Sequence, residues 1–534
     1  MDVNRRDFLR TSGVLAAGAA LPLACRTLPQ TAAPPPFLHG IASGDPLKDR
    51  VVLWTRVSAA PGTGRIPVRW EIAEDPGLRR IVARGRTTTG PHRDFTLKVD
   101  ATGLAPGRSY YYRFDALGEA SAIARTRTLP AGPVERLRLA ACSCANYPQG
   151  FFNAYAQIAL RGDLDAVLHL GDYLYEYGRD GYGGNAGLGR DVEPRHEIVS
   201  LADYRRRHAF YKLDPDLQAV HQQHPFIAVW DDHESANDAW MHGAKNHDPS
   251  SEGAWAARKA AAIRAYHEWM PIRTLAGDLS AGRIYRSFRF GDLADLVMLD
   301  TRLAGRDPQP ARDDPEGLED PRRRLLDIAQ EAWLQAELEN SRDAGTRWRL
   351  LGQQVLMGSM SGPGQPVNPD SWDGYPGSRQ RLLSHLEEAR VDDVVVLSGD
   401  VHSSWALEVA KDPFSSDHYD PATGRGSLAV EFVAPAVSSS PLGSFPGAAE
   451  ALGEIDSRRP HVRWTDLHEH GYTILDLDRE RAQAEWWFVD SVERRGGNER
   501  FARAFATARG ESRLQPIASP SAPLRDAPEP APSA

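Results

Sequence analysis

The chain is poor in cysteine, with three among 534 residues, too few to build a disulfide framework. Beyond residue 24 it also lacks any uncharged apolar run approaching the roughly 20 residues that span a bilayer. Surplus positive charge is missing as well: 63 Lys+Arg stand against 72 Asp+Glu, a formal charge of −9 with no basic stripe. That argues against a nucleic-acid-binding surface built on bulk charge. With 41 % hydrophobic and 25 % charged residues, neither general disorder nor a fibrous repeat fits. What remains is a globular chain, and at roughly 100–200 residues per domain its length predicts two to four domains.

The two ends read differently from the body. Asn4-Arg5-Arg6-Asp7-Phe8-Leu9-Arg10 precedes a weakly apolar run from Thr11 to Ala24. A charged start, a short apolar middle and small residues near a cut site describe an export leader rather than a spanning helix. The pair Arg5-Arg6 with Phe8-Leu9 resembles a twin-arginine signal. Residues 1–33 are therefore expected to be a removable leader read by the twin-arginine export machinery, and the mature protein is expected to be periplasmic or extracellular. Cys25 follows Leu21-Pro22-Leu23-Ala24, which loosely resembles a lipoprotein cleavage box despite its proline, so membrane attachment is expected only if Cys25 is lipidated. Residues 515–534 are mostly Pro, Ala and Ser without apolar periodicity, and are expected to form a disordered tail.

Residues 37–130 show short alternating runs, among them Val51-Val52-Leu53-Trp54, Val68 to Ile72, Phe95 to Val99 and Tyr110 to Phe114, separated by Gly- and Pro-containing turns. That pattern predicts a small all-β sandwich. Leu104-Ala105-Pro106-Gly107 before Tyr110 resembles the corner of a fibronectin type III module. Nothing in this segment has the residue types for chemistry. In residues 134–510, apolar strand-like runs at 137–141, 166–170, 226–230, 296–299, 350–357, 394–397 and 428–433 alternate with helical spacing at 151–160, 204–212, 255–269 and 329–338. The alternation predicts a layered α/β fold with a large central sheet, which carries ligands at the carboxyl ends of its strands.

Those ends collect metal-ligand residue types: Cys142-Ser143-Cys144, Gly171-Asp172-Tyr173-Leu174-Tyr175, Asp231-Asp232-His233-Glu234 and Gly399-Asp400-Val401-His402. One Gly-Asp after a strand is ordinary turn chemistry, but turns do not call for His or Cys at four strand ends. Two neighbouring cations sharing a bridging carboxylate give the mixture a reason: oxygen ligands suit a hard cation, and thiolate or phenolate a transition metal. Strand alternation leaves Cys142 and Cys144 on one side, so either is a candidate ligand; the Ser-Cys pattern favours Cys144 and leaves Cys142 to packing.

Gly171-Asp172-x-x-Tyr175 is similar to the second motif of purple acid phosphatases. The Asp231-Asp232-His233-Glu234 and Gly399-Asp400-x-His402 variants match the alkaline phosphatase D family, a group of exported metallophosphoesterases. So do Gly40-Ile41-Ala42-Ser43-Gly44-Asp45-Pro46 and Ser398 to Ser404. The resemblance implies a four-layer metallophosphatase sandwich of central β-sheets flanked by helices, behind the small all-β fibronectin III-like domain. It implies a ferric iron (Fe(3+)) and calcium (Ca(2+)) centre hydrolysing small phosphomonoesters and phosphodiesters. Carried over, Cys144, Asp172 and Tyr175 would hold iron with Asp400 and His402 closing the site, and Asp172 and Asp232 would serve calcium. His233 would support the leaving oxygen, with Asp231 or Glu234 orienting its imidazole by a hydrogen bond. Asn237, Asp238, Gln353 and Gln354 are further candidate ligands, and Arg302 and the arginines 205–207 are candidates for substrate phosphate or for solvent and ion pairs. Two alternatives stay open: a phospholipase D-type phosphodiesterase on the same scaffold, and a non-enzymatic exported protein with a structural metal centre.

Overall fold

The computed structural model describes residues 34–533 apart from 185–186, 276, 279–281, 312–313, 363–367 and 448–457. The leader and Cys25 lie outside the described residues. Among these residues the strands form sheets of ten, seven and five strands. In the ten-stranded sheet Arg136–Cys142, Ala166–His169 and Pro225–Ala228 lie side by side in parallel. In the seven-stranded sheet Ala294–Met298, Trp348–Gly352, Val394–Ser398 and Ser427–Val433 do the same. Alternation along these strands sets the layers. Leu296, Met298, Leu350, Val395 and Leu397 join the large core that also holds Leu139 and Leu168 of the first sheet. Their neighbours Val297, Leu351, Val394 and Val396 point the other way, onto Leu334, Leu338, Leu382 and Leu386 of the helices Ile328–Asp343 and Pro376–Glu388. Both faces are buried, as parallel sheets require. Helices, two sheets and helices thus form four layers, and no helix among the described residues is long and apolar enough to cross a membrane.

The sandwich is not a separate bead. Its strand Ile41–Leu47 pairs in parallel with Pro225–Ala228, through Ser43 with Pro225 and Gly44 with Phe226, and carries Arg50–Arg56 and Thr96–Thr102 onto the same ten-stranded sheet. Ile66–Ala73, Ile81–Thr89, Ser109–Ala116, Glu119–Ala120 and Ala124–Arg127 make the opposing five-stranded sheet. On Arg50–Arg56, Val51 and Leu53 enter the sandwich core. Trp54, of opposite parity, packs on Trp269 and donates to the Glu268 carbonyl at 2.8 Å. The expected corner is present: the Ala105 amide donates to the Tyr110 hydroxyl at 2.8 Å.

The tail departs from the expectation of disorder. Gln515–Ile517 adds a strand beside Glu499–Ala508. Beyond it Ser521 donates to Glu485 at 2.5 Å, Arg125 to the Pro528 carbonyl at 3.1 Å and Tyr111 to the Glu529 carbonyl at 2.6 Å. The Ala531 amide donates to Gln223 at 2.9 Å. Composition weighed only the apolar area this segment could bury. Its order instead comes from backbone groups satisfied by side chains of the two units it crosses.

Candidate metal centre

The loops after the parallel strands of both sheets meet at one end of the layers. They can pack so closely because the motif glycines carry no Cβ. One at Gly171 would lie 2.4 Å from the Asp231 Cβ, and one at Gly399 would lie 2.6 Å from the Ser143 hydroxyl. Gly171 also has φ 109°, which favours glycine. Cys144 (φ 62°), Asp172 (56°), Asp400 (66°) and His402 (48°) themselves adopt left-handed backbone, at about 1–3 kcal/mol each. The surrounding hydrogen bonds hold them there: the Cys144 amide donates to the Gly171 carbonyl at 3.2 Å, Ala145 to Asp172 at 2.9 Å and Ser439 to Cys144 at 3.2 Å.

Three groups of side chains bring ligand atoms within 4.8 Å of one another: Cys144, Asp172 and His402; Asp172, Asp232 and His233; and Asp231, Asp232 and Asp400. Asp172 is common to the first two. Its Oδ2 accepts from the Tyr175 hydroxyl at 2.9 Å, while its Oδ1 is buried with no partner. The same hydroxyl lies 3.1 Å from His402 Nε2, so Tyr175 belongs with the sulfur-bearing group. The Ser440 carbonyl, 3.0 Å from His402 Nδ1, can only accept, which puts the proton on Nδ1 and leaves Nε2 a lone pair. Burial holds this imidazole down at about 4, neutral and ready to ligate. Asp400 sits with Asp231 and Asp232 rather than with His402.

His233 is 7 % exposed, and its Nδ1 lies 2.7 Å from Glu176 Oε2. Glu176 is the orienting carboxylate, in place of Asp231 or Glu234. Asp231 pairs with Arg302. Glu234 is turned onto backbone, accepting from the amides of Asp172 at 3.1 Å, Tyr173 at 2.6 Å and Asp231 at 2.8 Å. Glu176 directly follows Tyr175 in the chain but lies 57 residues from His233, a separation that adjacency in sequence does not signal. The Tyr175 ring stacks on His233 at 4.1 Å between centroids, and Tyr177 lies 5.5 Å away. Burial alone would lower the His233 pKa, but Asp232, Glu176 and Asp172 outweigh it and hold the imidazolium well above the ordinary histidine range.

Arg302 is fully buried and serves carboxylates, not solvent. It pairs with Asp231, with both oxygens of Asp370 (2.7 and 2.9 Å) and with Asp400 at 2.7 Å. Even so, burial first and neighbouring carboxylates second hold Asp172 and Asp400 well above the usual carboxylate range. Asp231 is pushed up to about 7, with Arg302 opposing. So crowded a set, with unpartnered oxygens at Asp172 and Asp231, calls for cations. Sulfur, phenol and imidazole at one end and carboxylates at the other fit a transition metal beside a hard cation.

Of the remaining candidates, Cys142, Gln353, Gln354 and the arginines 205–207 are engaged by other partners, whereas Asn237 and Asp238 stand beside the centre. Cys142 is a core residue reaching the Leu168 carbonyl. Gln353 donates to Ser398 at 2.6 Å and Gln354 to the Trp230 carbonyl at 2.7 Å, so both serve as framework amides. The Asn237 backbone amide donates to Glu176 at 2.7 Å and the Asp238 backbone amide to Asp232 at 2.5 Å, while the Asp238 carboxylate pairs with Lys245. Arg205 and Arg206 pair with Glu268 and Glu193, and Arg207 holds the carbonyls of Tyr175 and Tyr177.

Comparison with known proteins agrees with this geometry. Residues 139–486 match the PhoD-like phosphatase model, 23–130 the N-terminal domain of PhoD-like phosphatases, and 2–22 a twin-arginine translocation pathway signal sequence, so the chain is addressed for export by that pathway. An alkaline phosphatase D of Bacillus subtilis (strain 168) is 34 % identical over 543 residues, covering 97 % of this chain and 89 % of that protein. A solved structure described as "Structure of PhoD" superposes with a TM-score of 0.81 at 33 % identity, covering 92 % of this chain and 94 % of its own. Sequence, fold and strand-end chemistry agree along nearly the whole length, and the chain belongs to the PhoD-like phosphatase family.

Proposed function

We propose that the exported protein hydrolyses phosphomonoesters and phosphodiesters by attack of water on phosphorus at a mixed iron–calcium centre. The observation that carries this reading is the Asp172 carboxylate, shared by two ligand groups of different chemistry and holding a buried, unpartnered oxygen. Cys144, Asp172, Tyr175 and His402 would hold ferric iron, and Asp172 and Asp232, with Asp231 and Asp400 beside them, would hold calcium. When bound, such a pair lowers the pKa of water and polarises the phosphoryl oxygens. The chain supplies the rest. Glu176 fixes the proton on His233 Nδ1 and keeps the ring cationic, so that its other nitrogen can give a proton to the departing alkoxide. Tyr175 and Tyr177 shield that imidazolium, and Arg302 spaces Asp231 from Asp400.

The test is metal analysis of protein exported by its natural route, with turnover of an aryl phosphomonoester, a phosphodiester and a phosphatidyl lipid before and after calcium chelation. Chelation should abolish turnover reversibly. Asp172→Ala and Cys144→Ala should lose metal and activity together, while His233→Ala keeps its metal and loses roughly 10²–10⁴ in rate. A Cys144→Ala protein with full iron and full rate would overturn the assignment.

A further inference from the structure

Above the centre opens a cleft of about 800 Å³ with Asp400 and His402 in its lining. That is room for a whole organic ligand, far more than a phosphoryl group occupies. Beyond those two residues the lining is mixed: Trp240, Leu442, Phe445, Pro308, Pro310 and Pro369 supply apolar surface beside polar side chains such as Asn237, Gln309 and Asn368. Among the described residues the charged lining is already engaged: Lys245 lies 3.2 Å from Asp238, Arg302 and Arg306 pair Asp370, and Arg302 pairs Asp400.

The walls are built in advance. The Trp240 ring lies so close over Gly243 that a Cβ there would stand 2.3 Å from it. The Trp240 amide donates to the Gly243 carbonyl at 2.8 Å, and Met241 to Arg306 at 3.0 Å, so the indole is fixed before any ligand arrives. A second part of the lining is tied to His402. The Leu442 amide donates to the His402 carbonyl at 3.2 Å, and the Ser440 carbonyl holds the His402 ring. Phe445, on the same segment, is 42 % exposed.

Resting on the phosphoesterase reading above, we infer that this cleft seats an organic arm of the substrate, and that Trp240 and Phe445 select esters with an uncharged aromatic or apolar arm over esters whose arm carries a further anionic group. Bringing such an arm against these rings buries its apolar surface, whereas a second anion finds no unengaged cation among the described lining residues.

The experiment uses the metal-replete protein and two 4-nitrophenyl diesters of equal size, one with a phenyl arm and one with a carboxylate-bearing arm, alongside 4-nitrophenyl phosphate. The common leaving group makes any difference between the diesters a matter of binding. We expect the phenyl diester to have the higher kcat/KM. Trp240→Ala and Phe445→Ala should each lower it about tenfold through KM, narrowing the preference, and Trp240→Phe should restore part of it. Equal handling of both diesters by the unaltered protein, or a preference that survives both alanine substitutions, overturns the inference and leaves the phosphoesterase reading intact. Failure to cleave any of the three esters overturns that reading, and the inference with it.

Discussion

Replacing Glu176 with glutamine isolates the support given to His233. The side chain is fully buried. Its Oε1 accepts from the Asn237 amide at 2.7 Å and Asn246 at 3.0 Å, bonds a glutamine carbonyl keeps. Only Oε2, 2.7 Å from His233 Nδ1, changes, from a carboxylate acceptor to an amide donor facing an N–H. A hydrogen bond to a charged group is worth about 1.5–3 kcal/mol, so kcat should fall roughly 10- to 150-fold with the iron and calcium content unchanged. The loss should be larger for an alkyl phosphate than for a 4-nitrophenyl ester, whose leaving group needs little proton assistance. The pH dependence has a definite sign. Against burial, the Glu176 carboxylate raises the His233 pKa, and unlike Asp172 and Asp232 it would keep its charge with cations bound. Assistance by the imidazolium is present below that pKa and lost above it, so removing the Glu176 charge moves the alkaline limb of kcat/KM to lower pH. The assay is a pH–rate profile on both esters with metal analysis of each sample. Equal losses on both leaving groups, or loss of metal, would refute the reasoning.

Gly171→Ala should collapse the centre, because its Cβ would lie 2.4 Å from that of Asp231; metal content and activity are expected to fall below a tenth, and a metal-replete, active variant would contradict the packing argument. His208 is buried, with burial first and Lys212 second lowering its pKa to about 3. Its share of stability is complete above the unfolded value near 6.5 and is lost as pH falls toward 3. Urea unfolding should therefore show His208→Phe gaining about 1 kcal/mol on the parent between pH 6.5 and 5.5, and parallel pH profiles would count against it. Ending the chain at residue 514 removes the partners of Glu485, Arg125, Tyr111 and Gln223. The thermal midpoint should drop by several degrees and limited proteolysis should open the sandwich first, whereas an unchanged digestion pattern would make the tail contacts inconsequential.

The parallel strands were legible because strands buried on both faces read as uninterrupted apolar runs, and the site residues were legible because they follow those runs directly. Strands such as Arg481–Val489, with Gln483 and Glu485 inside, mix polar with apolar residues and escape that pattern. Contacts distant in sequence were hidden for a different reason. Glu176 meets His233 across 57 residues, and Arg302 gathers Asp231, Asp370 and Asp400 only because loops from two sheets converge. The union of sandwich and catalytic sheet depends on a parallel pairing between Ser43 and Pro225, which no local pattern announces.

That pairing, with the tail, has a consequence for how the molecule is made. The first strand has no inner neighbour until Pro225–Ala228 emerges, and Tyr111 finds its carbonyl on Glu529, 418 residues later. Contacts so far apart form late, after synthesis has almost ended. A chain ending before Glu529 leaves Tyr111 without that carbonyl. For a protein carrying a leader for a route that accepts folded cargo, closing the contact between these distant segments is one of the folding steps that precede export.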